Sequence, residues 1–224
     1  RGRESTTAAS HADQAIVTSD PLFPRQAVKQ AIQDSIQGVY PDVYPLVSTN
    51  ITKNAAVFEY GIPAVAEDVM QVTFDTVGPT RVNPPAVRWR FNSFANLTRF
   101  PTGKSIIIED GITSGRVIKV TYMTNPASPV NDADDLATVT GFSSTEIDRF
   151  SDMFVYGACA RLLPSYESAR LQQGAVESME RAALVQAGAA LQTAAYYWKQ
   201  YKDRISEERR RLQELHSSYQ RYQS

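Results

Sequence analysis

A long apolar stripe near the end of the chain constrains the fold more than any other feature of the sequence. From Leu184, alternating steps of three and four residues lead to Tyr222, and every position on the way except Glu208 is apolar. The stripe consists of Leu184, Ala187, Leu191, Ala194, Trp198, Tyr201, Ile205, Glu208, Leu212, Leu215, Tyr219 and Tyr222. A period of about 3.5 residues is typical of a helix that keeps one face against a partner helix.

The length of this stripe predicts contact with another chain. As one continuous helix it would extend roughly 58 Å, at about 1.5 Å per residue. A folded unit of about 100 residues has a radius of gyration near 13 Å, so its own core is too small to cover the whole stripe. We therefore expect a second polypeptide to cover part of it. The alternative is a bend that folds the helix back onto its own molecule.

The chemistry of the stripe changes along the helix. Alanines dominate its upstream half, and Tyr196, Tyr197 and Trp198 follow in the middle. Downstream, residues 199–216 contain six basic and four acidic side chains. These charges fit either a solvated helix face or docking on an acidic surface of a partner. Because interface cores favour aromatic residues and arginine, we interpret the stripe as contact surface.

The rest of the chain divides into segments of different composition. We predict an extended N-terminal arm (1–20), a segment with an N-terminal helix (21–45), a β domain (46–125), a linker (126–142) and a helical domain with the long partner-docking helix (143–224). The first helix is expected to start after Pro24 and to end at Gly38. Ser143 to Glu146 matches a capping box that begins the helical domain, and Pro164 is expected to end its first helix.

Period-two alternation identifies the β domain. Met70, Val72 and Phe74 alternate with polar residues, which indicates a strand with one buried face. Residues 105–109 and 116–122 flank an Asp-Gly turn signal and are predicted to pair as a hairpin. The predicted fold class is α+β: a helical bundle with a long C-terminal helix and an inserted small antiparallel β-sandwich or barrel.

Composition excludes several functional classes. The formal net charge is −1, whereas a protein that grips DNA shows a clear basic excess. No apolar run approaches the roughly 20 residues that a membrane span needs. Residues 1–10 are polar and lack the apolar segment of a signal peptide. We expect a soluble protein that is made inside the cell.

The motifs of nucleotide binding and catalysis are incomplete. Phe100 to Ser105 resembles the end of a phosphate-binding loop, but Thr98 stands where the first glycine is needed. A β-type run of isoleucines follows, whereas the phosphate site requires a helix N-terminus. No nucleophile stands in a recognised catalytic motif. We therefore predict no catalytic residues and no cofactor.

The candidate metal ligands are equally isolated. His11 and His216 stand in no metal-ligand spacing. The acidic residues of the segment 132–135 lack the glycine and distal glutamate of a calcium loop, so we interpret them as a loop or helix-entry signal. Cys159 is the only cysteine and is expected to be a small buried residue. No metal site is predicted.

The helices that follow the β domain resemble those of a known family. Residues 147–168 read IDRFSDMFVYGACARLLPSYES, with a characteristic Arg-Leu-Leu-Pro end, and a further helix around 175–198 has Tyr and Trp near its end. Together with the order of helix, β insert and two helices, these features resemble the head-to-tail adaptor (connector) proteins of tailed bacteriophages. The resemblance covers the C-terminal third in residues and the remainder in layout, and the β insert is larger than in the simplest adaptors.

The resemblance implies a structural virion protein of the neck between capsid and tail, made in the host cytoplasm. Adaptors of this kind form a homo-oligomeric ring, commonly a dodecamer, which docks on the portal protein and receives the next neck or tail protein. DNA passes through the channel as non-specific cargo, and no membrane is involved. The portal contacts implied for this chain are Trp198, Tyr201, Ile205, Arg209, Leu212, Leu215, Tyr219 and Tyr222.

Other interpretations remain open at this point. A tail terminator, a tail tube or another neck protein would assemble through its β domain instead of the long helix. A host-type scaffold would be a coiled-coil dimer with a β recognition module. A hydrolase is the weakest alternative, because no pair of nucleophile and base can be named.

Overall fold

The computed structural model describes residues 23–76, 82–131, 133–177 and 188–215. The predicted arm lies outside these residues. The elements in chain order are α1 (Arg25–Gln37), β1 (Leu46–Thr52), β2 (Glu59–Gly61), β3 (Asp68–Phe74), β4 (Trp89–Asn92), β5 (Ser105–Ile108), β6 (Val117–Met123), α2 (Leu136–Thr140), α3 (Ser144–Glu177) and α4 (Ala189–Leu215). This order confirms the α+β class, with a β insert and a long C-terminal helix.

The six strands, together called the β unit, form two three-stranded antiparallel sheets. One sheet has the order β1-β6-β3 and the other the order β2-β5-β4. Apolar side chains from both sheets meet in one buried cluster, which includes Val69, Val72, Ile106, Ile108, Ile118 and Val120. No closed barrel is present among the strands of the described residues.

The predicted hairpin between residues 105–109 and 116–122 is wrong. Strand β5 pairs with β2 and β4, whereas β6 pairs with β1 and β3, so the two segments lie at the centres of different sheets. The carboxylate of Asp110 accepts a hydrogen bond of 3.1 Å from the backbone N–H of Arg88, just before β4. Asp110 therefore ties the connection from β5 to β6 to the residues just before β4, a contact that local turn chemistry could not reveal.

A β-bulge corrects the predicted alternation in β3. Val69 pairs with Tyr122 and Gln71 pairs with Thr121, which leaves Met70 as the extra residue. A bulge shifts the side chains on one side of it to the opposite face. Val69 and Val72 are consequently the buried apolar residues of this strand.

The helices, together called the helical unit, form a second and separate core. Helix α1 starts after Pro24 and ends at Gly38, as predicted. Its Ile36 packs in a cluster with Phe150 and Phe154 of α3 and with Tyr201 of α4. The helical unit and the β unit therefore bury their apolar residues in two distinct places.

The start of α3 confirms the predicted capping box. The backbone N–H of Ser143 donates to the Glu146 carboxylate at 2.8 Å, and the backbone N–H of Glu146 donates to the Ser143 hydroxyl at 3.3 Å. These reciprocal bonds satisfy N–H groups that the first helical turn leaves without partners.

The prediction that Pro164 ends this helix is wrong, because α3 continues to Glu177. A proline within a helix removes one N–H donor and costs about 3 kcal/mol. Here Pro164 is exposed, and the hydroxyl of Ser165 donates to the carbonyl of Leu162 at 2.7 Å. The helix continues because the proline removes only one backbone hydrogen bond, and the remaining bonds of this long helix are kept on both sides of it.

The predicted linker is attached to the helical unit. The Gln33 side-chain amide donates to the carbonyl of Pro129 at 2.7 Å, which ties the linker to α1. The carboxylate of Asp135 caps α2 by accepting from the backbone N–H groups of Ala137 and Thr138. This agrees with the interpretation of the acidic segment as a helix-entry signal.

Candidate partner interface

Helix α4 runs antiparallel to α3, and this pairing covers part of the apolar stripe. Arg149 near the start of α3 pairs with Glu208 near the end of α4, whereas Tyr156 further along α3 stacks on Tyr197 near the start of α4. The size argument was wrong for this part of the stripe, because α3 is itself a long helix. One long helix can cover another even where a compact core cannot.

Two of the predicted partner contacts belong to the core of their own chain. Tyr201 and Leu212 are buried within the helical unit, together with Ala194 of the same stripe. Their position corrects the prediction that these two residues face a partner. The stripe is therefore divided lengthwise between an inner side, which packs on α1 and α3, and an outer side.

Tyr201 lies where three helices approach closely. Its hydroxyl donates to the backbone carbonyl of Ser35 in α1 at 2.8 Å. A Cβ on Gly157 of α3 would overlap the Ser35 side chain and lie 2.9 Å from the Tyr201 ring. Burial raises the pKa of Tyr201, and the neighbouring Arg161 guanidinium opposes this rise. Only glycine fits at this crossing, so the position of α4 is fixed sterically.

The only charged residue of the stripe is satisfied inside the molecule. Glu208 is 3% exposed, and its carboxylate accepts from Nε and Nη2 of Arg149 at 3.1 and 2.9 Å. Arg211 lies 3.5 Å from the same carboxylate. A buried bidentate pair of this kind fixes the register of two helices. Sequence reasoning missed Arg149, although an acidic residue within an apolar stripe indicates that a cation lies opposite.

The basic cluster of α4 is likewise divided. The Arg204 side chain lies 3.2 Å from the Asp152 carboxylate of α3 and donates to the carbonyl of Arg149 at 3.0 Å. In contrast, Lys202, Arg209 and other basic residues of α4 are exposed. Only part of the cluster is therefore available to a partner.

The outer side of the stripe borders an open groove, called here the α4 groove. The loop after α1 contributes Gly38 and Asp42, and α4 contributes Trp198, Ile205 and Arg209. The groove has a volume of about 340 Å³. It thus brings together four of the residues that the sequence analysis proposed as partner contacts: Trp198, Ile205, Arg209 and, at its inner wall, the buried Tyr201.

The groove presents an ordered aromatic surface with positive charge around it. Trp198 is 40% exposed, and its ring lies 5.2 Å from the Arg161 guanidinium and 5.3 Å from the Lys202 ammonium. Arg209 is held 3.1 Å from the Asp42 carboxylate. Cations near an indole ring are attracted to its face, which orders the side chain before any partner arrives. The arrangement suits recognition of an apolar or aromatic side chain.

The remaining predicted contacts lie toward the C-terminal end of the chain. Leu215 is 59% exposed at the end of α4, whereas Tyr219 and Tyr222 lie outside the described residues. The described stripe residues on the outer side are Leu191, Trp198, Leu215 and the half-buried Ile205, which also packs against the helical core. We call the proposed contacts among them, Trp198, Ile205 and Leu215, together with the neighbouring exposed Arg209, the assembly face.

The structure also locates the segments and residues that the sequence analysis considered for nucleotide or metal binding. Ser105 begins strand β5, so a strand follows the sequence that resembles a phosphate-binding loop. Cys159 is partly exposed on α3, which corrects the expectation of a buried residue. Among the described residues, no three His, Cys, Asp or Glu side chains are grouped so that they could hold a metal ion. Both histidines lie outside those residues.

Comparison of the chain with protein-family models, with curated proteins and with solved structures finds no match. None of the described helices combines the length and apolar composition that crossing a bilayer requires.

Proposed function

We propose that this chain is a head-to-tail adaptor of a tailed bacteriophage, a non-enzymatic subunit of a ring that docks on the portal and leaves a channel for DNA. The observation that carries the proposal is the division of α4. Its inner side is satisfied by α1 and α3, whereas the assembly face presents aromatic, aliphatic and arginine side chains outward. This is the composition that the cores of protein interfaces favour.

The fixed packing of α4 against α3 supports a role for this helix in binding a partner protein. The Glu208–Arg149 pair and the Gly157 crossing fix the helix in register against α3. A fixed helix presents its outer residues without an ordering cost on binding, which favours affinity. The proposed portal contacts are the residues of the assembly face, of which Leu215 is the last residue of α4.

The β unit is proposed to pack as a small two-sheet sandwich that faces the next neck or tail protein. Support comes from the shared cluster, in which Val72 and Val120 of one sheet meet Ile106 and Ile108 of the other. The net charge of −1 fits a ring whose channel lets DNA slide without gripping it.

Binding to the portal protein of the same genome tests this proposal. We expect Leu215→Asp and Arg209→Glu each to weaken binding by about tenfold or more, because each places a negative charge on an exposed contact residue without opening the core. A matched control is Arg90→Glu on the β unit, which should bind as the wild type does. Equal binding by all variants, or no binding by the wild-type chain, would contradict the proposal.

A tail protein that assembles through its β unit is the second candidate. One observation favours it: the most exposed large apolar side chain of the described residues is Phe94, which belongs to the β unit. Electron microscopy of the purified chain separates the two. Closed rings that bind portal support the adaptor, whereas tubes that are insensitive to Leu215→Asp support the tail protein.

A further inference from the structure

Strand β1 forms one edge of its sheet, and this edge is long, regular and uncharged. Its seven residues, LVSTNIT, include no charged residue, proline or glycine. Its register with β6 runs from Leu46 to Thr52 without a bulge. Among the described strands, β1 has a neighbour on one side only. An edge of this kind is a template for a further strand.

The other edges of the β unit are protected. Residues 84–86 cover the outer edge of β3, where the N–H of Ala86 donates to the carbonyl of Val72 at 2.8 Å. Strands β2 and β4 are three and four residues long, and they carry the charged residues Glu59 and Arg90. Short length and charge both discourage the pairing of an edge with another chain. The edge of β1 is therefore the exception.

The hydrogen bonds of β1 show which of its backbone groups face outward. The N–H of Lys53 donates to the carbonyl of its partner Arg116 at 2.8 Å. Bonded and non-bonded positions alternate in an antiparallel pair, so residues 47, 49 and 51 also bond to β6. The backbone groups that point away from β6 are consequently those of the exposed Ser48, Asn50 and Thr52.

One segment of this chain has the composition that such an edge accepts. Residues 14–19 read QAIVTS and contain no charge, proline or glycine. Ile16, Val17 and Thr18 are three consecutive β-branched residues, which favour a strand. No other run of three β-branched residues occurs outside the described part of the chain. Pairing this segment with β1 therefore brings no charged side chain to the edge.

The reach of the chain decides which copy of β1 receives the segment. The Phe23 ring lies 6.2 Å from the Tyr166 ring of α3. Pro45, just before β1, lies beside Gly141, just before the start of α3. The stretch of α3 between these two places is roughly 30 Å long, at about 1.5 Å per residue. The four steps from residue 19 to Phe23 span at most about 14 Å. This is too short to bring the segment to the start of its own β1.

We propose that residues 14–19 of one copy add a strand to the open edge of β1 in a neighbouring copy. The added strand pairs with the outward backbone groups of Ser48, Asn50 and Thr52. The donated segment and the receiving edge are different surfaces, so the contact passes from copy to copy and generates a ring or a filament. Ring closure rests on the proposed function, whereas the strand pairing does not.

Removal of one outward N–H tests the edge itself. Asn50→Pro removes a donor that points away from β6, and an edge strand tolerates proline at such a position. We expect it to weaken association between copies by about tenfold, as measured by native mass spectrometry over a range of concentrations. Asn50→Thr keeps the N–H and should associate as the wild type does. Equal association of both variants, with circular dichroism showing both folded, would overturn the pairing.

Disulfide cross-linking between two full-length variants tests the partner segment. Both carry Cys159→Ser, which removes the only native cysteine. One also carries Asn50→Cys, and in the other each residue from 14 to 19 is replaced in turn by cysteine. After mixing and oxidation, linked heterodimers should form at alternate positions, because only every second residue of a strand shares a face with residue 50.

A matched control uses Arg90→Cys in place of Asn50→Cys, at an exposed position of the other sheet, and should give no cross-link. Absence of cross-links at all six positions, or equal cross-linking at all of them, would overturn the strand pairing. Cross-links that form only when both cysteines lie in the same chain would overturn the exchange between copies. Cross-linking by a chain that does not bind portal would overturn only the proposed function.

Discussion

The helical unit and the β unit are stabilised in different ways. The core of the β unit consists mainly of valine and isoleucine, and its ion pairs, such as Arg90 with Glu109, lie at the surface. Its buried polar contacts include the hydrogen bond that the Ser105 hydroxyl donates to the Glu59 carboxylate at 2.7 Å.

The core of the helical unit also contains polar contacts: Glu208 with Arg149, and the Tyr201 hydroxyl with the Ser35 carbonyl. Both units bury polar contacts, but among the ion pairs of the described residues only those of Glu208, in the helical unit, involve a fully buried carboxylate.

The difference follows from how each kind of element sets its register. Backbone hydrogen bonds fix the register of neighbouring strands, and a slip of one residue would turn the buried face outward. The backbone hydrogen bonds of a helix are made within that helix. The register of two packed helices is therefore set by their side chains alone. In this protein the buried ion pair and the glycine crossing set the register of α4 against α3, and the register determines which α4 residues face outward.

The largest effect is expected from breaking the buried pair. Arg149→Ala should lower the free energy of unfolding by roughly 3 kcal/mol, because it leaves the buried Glu208 carboxylate without its main partner. The surface variant Arg90→Ala, which also loses a carboxylate partner at 3.1 Å, should cost less than about 1 kcal/mol. Chemical denaturation measures both. If both variants lost the same free energy of unfolding, the proposed difference between the helical unit and the β unit would be wrong.

A double variant sharpens this test. Arg149→Met combined with Glu208→Leu replaces the pair by apolar side chains of similar size and should restore most of the lost stability. We expect it to unfold within about 1 kcal/mol of the wild type. If the double variant were as unstable as Arg149→Ala, the cost would lie in packing and not in an unpaired charge.

A smaller effect is expected at the glycine crossing. Gly157→Ala should cost roughly 2 kcal/mol, because the added methyl group overlaps the Ser35 side chain, and this outweighs the better helix propensity of alanine. Gly111 in the β unit has no atom within 4 Å of an added Cβ, so Gly111→Ala should change stability by less than about 0.5 kcal/mol. If Gly157→Ala left the free energy of unfolding unchanged, α4 would be free to shift.

The smallest effect concerns the cap of α2. Hydrogen bonds from Thr138 lower the pKa of Asp135 below its ordinary value of 3.8. A lowered pKa in the folded state means that the cap stabilises α2 above pH 3.8 and that this contribution is lost as the pH falls through the lower, folded value. The amide resonances of Ala137 and Thr138 should therefore titrate with a midpoint below 3.8. A midpoint at or above that value, or the same titration in Asp135→Asn, would exclude this cap.

Local signals in the sequence were sufficient for part of the fold. The Pro24 start of α1, the capping box at Ser143 and the C-terminal helix all depend on residues a few positions apart, and all three are present. The hairpin was wrong because an Asp-Gly turn signal does not specify which strands pair; Asp110 binds the chain 22 residues earlier. Pairing between distant segments is decided by the whole core.

The candidate interface shows the same limit. The stripe correctly placed Trp198, Tyr201 and Ile205 on one helix, but its periodicity could not separate the inner from the outer side. That separation depends on the first half of α3, where Phe150 and Phe154 pack in one cluster with Tyr201 and Leu212. Phe94 carried no signal in the sequence, because its exposure results from how the β4–β5 loop folds.

The mass of the intact chain in solution tests the central claim most directly, namely that the outer side of α4 meets other chains. Native mass spectrometry over a range of concentrations should detect one discrete assembly, a closed multiple of the 24.8 kDa subunit. A single species at 24.8 kDa at every concentration, even with portal protein present, would contradict the account.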